Sequence, residues 1–116
     1  MRTYVRMMAR PYRPARELND AIERGELDFA LALAKEVARE RNRPLDLDLA
    51  LALLPLVAGQ QAAAYDAWAL RWLRRWISES SEPTIEQAAE LAGCLADLPA
   101  EPRGAVEAIR RSCRMR

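Results

Sequence analysis

Leu27–Ala38 reads LDFALALAKEVA, and twenty positions later Leu47–Ala58 reads LDLALALLPLVA. Leu, Asp, Ala, Leu, Ala, Leu, Val and Ala stand at the same places in both. A looser third copy, IEQAAELAGCLA over Ile85–Ala96, keeps the apolar–acidic–x–Ala opening and closes on Leu95 and Ala96. Apolar residues recurring three and four apart place one stripe on a helix, whereas a half-buried strand requires alternation. Leu45–Leu53 does alternate Leu with Asp or Ala, but no other segment, rich in β-branched or aromatic residues at period two, stands ready to pair with it. The chain is therefore expected to be all-α, with about six short helices packed as antiparallel hairpins in a compact or slightly superhelical bundle, the copies stacked on one another.

The remaining elements follow from local signals. Residues 1–14 are basic and carry Pro11 and Pro14 near their end, which predicts a mobile N-terminal arm ahead of a single helical domain over 15–116. A first helix is expected from about Ala15 to Arg24, burying Leu18, Ala21 and Ile22 and closing at Gly25. The second spans about Leu27–Arg41, and the third Leu47–Ala58, capped by Asp46, loosened by Pro55 and ended by Gly59. The fourth and longest runs from about Ala62 to Glu79, followed by the linker SESSEPT over Ser78–Thr84. Thr84 with Gln87 makes a capping box for a fifth helix ending near Leu98. A sixth spans about Pro102–Cys113 with Val106, Ile109 and Cys113 inward.

Gly25–Glu40, GELDFALALAKEVARE, resembles the turn and second helix of a tetratricopeptide repeat through its Gly, the acid three residues on, and Ala30. The resemblance covers about one seventh of the chain. The preceding helix lacks that family's Trp, Leu-Gly and Tyr positions, so the resemblance implies antiparallel helical hairpins and no peptide-binding residues.

Charge is distributed unevenly behind a net of +1. Residues 1–16 and 110–116 together carry +9 without one acid, and the body between them carries −8. Basic ends on an acidic body attract nucleic acid or anionic lipid, or fold back on the body itself. Arg2, Arg6, Arg10 and Arg13 are accordingly candidate phosphate contacts.

In the fourth helix Trp68, Trp72 and Trp76 recur every fourth residue beside a second row, Tyr65, Ala69, Leu73 and Ile77, with Arg71, Arg74 and Arg75 flanking. Each Trp buries about 150–250 Å², or about 4–6 kcal/mol gross at about 25 cal/mol per Å². A chain with a single Phe needs such residues in its core, Trp72 above all. Trp68, Trp76, Arg71 and Arg75 are the alternative candidates for a partner or nucleic-acid contact, since Trp and Arg are enriched where proteins bind.

Chemistry has few residues to work with. His is absent, which removes the commonest general base and every His-containing metal or triad arrangement. The four glycines form no phosphate loop, and Asp46 with Asp48 is accounted for by the start of a helix. Cys94, beside Leu91 and Leu95, reads as a packed residue, while Cys113 lies among arginines that would lower its pKa. No catalytic residue, cofactor or metal is expected. The longest apolar run, residues 49–59, is broken by Pro55 and too short to span a bilayer. Two cysteines and no apolar leader point to the cytoplasm. The expected function is a non-catalytic protein–protein interaction module, an adaptor, regulator or homo-oligomer; the alternative is a nucleic-acid-associated protein using the arginine-rich ends.

Overall fold

The computed structural model describes residues 13–114, so Arg2, Arg6 and Arg10 and most of the expected basic arm lie outside the described residues. The described chain folds into α1 (Pro14–Glu23), α2 (Leu27–Arg41), α3 (Leu47–Gln60), a 3₁₀ turn at Ala62–Ala64, α4 (Tyr65–Glu79), α5 (Ile85–Asp97) and α6 (Pro102–Arg114), with no strand among the described residues. None of these helices is long and apolar enough to cross a membrane. The all-α reading holds, and Leu47–Leu53 is helix.

Consecutive helices pack in three pairs, α1 with α2, α3 with α4 and α5 with α6. Connections this short force each pair to run antiparallel. Gly25, at φ 72°, closes α1 in the left-handed conformation that a residue with Cβ adopts only under strain. Glu26 N–H donates to the Ala21 carbonyl and Gly25 N–H to the Ile22 carbonyl, which satisfies the carbonyls at the helix end. Asn42, at φ 55°, ends α2 in the same way, with Arg43 N–H on the Ala38 carbonyl. A short polar side chain tolerates that conformation next best after glycine.

The boundaries of α3 correct two expectations. Gly59 does not end the helix, which continues through Pro55 and Gly59 to Gln60. The Gln60 amide then donates to the Gly25 carbonyl at 2.8 Å, tying the end of α3 to the α1–α2 turn. Asp46 occupies the N-cap position, but its side chain makes no capping hydrogen bond and faces Arg41 at 3.5 Å instead. The capping box of α5 forms in full: the Thr84 hydroxyl accepts from Gln87 N–H, and the Gln87 side chain accepts from Thr84 N–H. The expected start of the fourth helix is a separate 3₁₀ turn, and α4 proper begins at Tyr65.

Every repeat copy opens a helix at its first residue, Leu27, Leu47 and Ile85. The seventh and eleventh positions, Leu33 and Val37, Leu53 and Val57, Leu91 and Leu95, are buried in all three. The copies nonetheless pack differently, because α2 closes its pair whereas α3 and α5 open theirs.

Helix α3 is central, touching α1, α2, α4 and α6. Over residues 47–60 only Asp48 is charged, and a helix apolar all round is buried from several sides. Its two faces serve two cores. Leu53 joins Leu18, Ala21, Ala30, Leu33 and Val37 of the first pair. Leu51, Leu54 and Val57 join Tyr65, Trp72, Trp76, Leu91, Leu98 and Ile109 on the other side.

Candidate functional site

The tryptophan row is divided by the packing. Trp72 and Trp76 are 5% and 2% exposed, whereas Trp68 is half-buried. Trp76 is therefore a core residue. In the neighbouring row Tyr65 and Ala69 are buried but Ile77 is 42% exposed, so that row leaves the core before the helix ends.

Trp72 is held by more than its area. Its indole N–H donates to the Leu47 carbonyl at 2.9 Å, which fixes α4 against the start of α3. A buried indole N–H requires such an acceptor. At the start of α4 the Tyr65 hydroxyl donates to the Leu95 carbonyl at 2.6 Å, joining α4 to α5. Burial, reinforced by the neighbouring Asp66 carboxylate, pushes the Tyr65 pKa up to about 12. Neither bond leaves a trace in residue spacing, since the acceptors are backbone carbonyls 30 and 25 residues away.

Held at its start and its middle, α4 forms a cleft with α3 of about 330 Å³, lined by Ala50, Leu54, Trp68, Arg71, Trp72, Arg74 and Arg75. Ala50, Leu54 and the two indoles supply apolar surface, and three guanidinium groups supply positive charge. Arg71 stacks with its Cζ 5.2 Å from the centre of the Trp68 ring. An exposed cation–π contact of this kind contributes about 0.5–1 kcal/mol. The Arg75 Nε donates to Glu79 Oε2 at 3.0 Å. No carboxylate pairs with Arg71 or Arg74 among the described residues. Of the expected contact residues, the structure thus gathers Trp68, Arg71 and Arg75 and adds Arg74. Arg13 stands exposed before α1 and is not part of the cleft.

A second hollow, of about 610 Å³, lies beyond Trp72 and is bounded by Leu47, Asp48, Leu51, Trp76, Arg110 and Cys113. At its rim the Arg110 Nε donates to Asp48 Oδ1 at 2.9 Å, which links α6 to α3.

No cluster of three or more His, Cys, Asp or Glu side chains arranged to hold a metal occurs among the described residues. Cys94 and Cys113 are both half-buried. Burial, with Glu90 and Asp97 nearby, raises the Cys94 pKa, and Arg111 opposes that only in part. A raised thiol pKa lowers the thiolate fraction and with it the reactivity of the sulfur.

Fold and cleft together define a small helical protein with a basic, aromatic-lined groove. Comparison with protein-family models, with curated proteins and with solved structures finds no match to the chain.

Proposed function

We propose that the protein is a non-catalytic interaction module that holds an acidic segment of a protein partner in the cleft between α3 and α4. The carrying observation is the joint placement of half-buried Trp68 with Arg71 and Arg74, neither of which has a carboxylate partner among the described residues. Trp and Arg on an apolar floor form the kind of surface where binding energy concentrates, because aromatic area and bidentate charge act together. A carboxylate-bearing segment with one large apolar side chain matches that floor and that charge.

Nucleic acid fits the cleft less well. Single-strand binders stack successive bases on several aromatic platforms, and here one indole is accessible. The body's charge of −8 also repels phosphate at distances beyond the arginines. The alternative rests on the arginine-rich ends, and it makes a separate demand. Deletion of residues 1–13 would then remove Arg2, Arg6, Arg10 and Arg13 and flatten the salt dependence of binding by up to about four phosphate contacts.

The test compares the intact chain with Trp68→Ala and Arg71→Glu in pull-downs from its native host, with and without nuclease. A protein retained by the intact chain after nuclease treatment and lost by both variants supports the reading. Loss of all partners on nuclease treatment, with salt-sensitive binding of a labelled oligonucleotide abolished by the deletion, would put the nucleic-acid function first.

A further inference from the structure

Among the described residues, three of the four exposed large hydrophobic side chains lie on one face, away from the cleft. Leu70 is 60% exposed and Ile77 42% on α4, and Ile85 is 87% exposed on α5. The hydrogen bond from Tyr65 to Leu95 sets α4 and α5 antiparallel, with the start of one beside the end of the other. Between them runs an open groove of about 240 Å³ lined by Tyr65, Asp66, Ala69, Leu70, Leu73, Ala92, Leu95 and Ala96. Seven residues are about two helical turns, so Ile77 continues the Leu70 side of the groove toward the first turns of α5. On α5, Ile85, Ala89, Ala92 and Ala96 recur at helical spacing and are all exposed. One wall of the groove is thus a ridge of large side chains, and the other is mostly alanine.

We propose that this α4–α5 face joins two copies of the chain in a symmetric dimer. A twofold axis through the middle of the groove lays α4 of each copy over α5 of the other. The ridge of Leu70 and Ile77 then enters the low ground at Ala89, Ala92 and Ala96 of the second copy, and the reciprocal contact follows from symmetry. Charge complements shape. Arg74 lies on the outer side of α4 between Leu70 and Ile77, and Glu86 and Glu90 border the alanine row on α5. None of the three has an ion-pair partner among the described residues of its own chain. The same axis lays Arg74 of one copy against the acidic border of α5 in the other, at Glu86 and Glu90. The dimer face does not depend on the Trp68 cleft, although Arg74 borders both.

Sedimentation velocity of the full chain over a concentration series tests the proposal, with circular dichroism confirming that each variant stays helical. The intact chain is expected to pass from monomer to dimer. Leu70→Glu, a change at an exposed position, is expected to weaken association by about 30-fold or more, the effect of removing an interface hot spot worth about 2 kcal/mol. Arg74→Glu and Glu90→Arg are each expected to weaken it about tenfold, and the double variant to restore it, since like charges facing each other are repulsive. Trp68→Ala is expected to leave association unchanged. A monomer at every concentration would overturn the proposal. So would a dimer indifferent to Leu70→Glu, or a charge-swapped double variant no stronger than the single ones.

Discussion

Trp72 closes the main core on one side of α4 and floors the cleft on the other. Removing its side chain forfeits buried area and the bond to the Leu47 carbonyl, so Trp72→Ala is expected to cost about 3–5 kcal/mol. Trp68→Ala, from a half-buried site, is expected to cost less than about 2 kcal/mol. Urea unfolding separates the two through their midpoints, and equal losses would place Trp68 in the core. Tyr65 gives a second residue-scale test. Its pKa is raised from 10.0 to about 12 on folding, so the folded state favours the protonated phenol. That contribution is complete below pH 10 and is lost as pH rises toward 12, a fall of about 2–3 kcal/mol at about 1.4 kcal/mol per unit. Tyr65→Phe is expected to lower stability at neutral pH by about 1–2 kcal/mol through the lost hydrogen bond to Leu95. It should also flatten the alkaline decline. A decline unchanged in the Phe variant would assign the effect to other groups.

At the scale of the element, helix starts that look alike in sequence differ in physics. Thr84 and Asp46 are both good N-cap residues, yet only Thr84 bonds the first turn of its helix. Asp46 turns to Arg41, an exposed pair of the kind that contributes little. Thr84→Ala is therefore expected to cost about 1 kcal/mol, and Asp46→Ala distinctly less, as thermal unfolding of the two variants would show. A larger loss for Asp46→Ala would mean that its side chain caps α3 in solution. The copies of the repeat teach a related lesson. Leu27 is buried, Leu47 half-buried and Ile85 almost fully exposed, though all three open a helix at the same repeat position. The pattern prescribes a helix and its inward face, but the neighbour that covers that face is a property of the fold.

At the scale of the molecule, the division of the core by α3 predicts uneven stability. The cluster around α1 and α2 is wholly aliphatic, with two alanines among its six buried residues. The other cluster contains Tyr65, Trp72 and Trp76 and is crossed by the Tyr65 and Trp72 hydrogen bonds. Regions with less buried apolar area open at lower free energy. Native-state hydrogen exchange is expected to show the amides of α1 and α2 exchanging through a partial opening while α3, α4 and α5 exchange only on global unfolding. Uniform protection across all six helices would show that α3 couples the two clusters into one cooperative unit.

Periodicity, caps and composition determined the helical class, the start of every repeat helix, the left-handed Gly25 and the inward place of Trp72. These are local matters, decided within a few turns by side-chain spacing and backbone sterics. The central position of α3, not anticipated, is accounted for by a fourteen-residue helix with one charge, which can bury more than one face. The tertiary structure decided what spacing leaves open: that Trp76 is covered while Trp68 is half open, that Arg74 joins the cleft, and that Leu70, Ile77 and Ile85 share one face. Each depends on which helix lies alongside, set here by indole and phenol bonds to backbone carbonyls far along the chain. A carbonyl offers the same acceptor whatever side chain its residue carries, so residue identities do not reveal those partners.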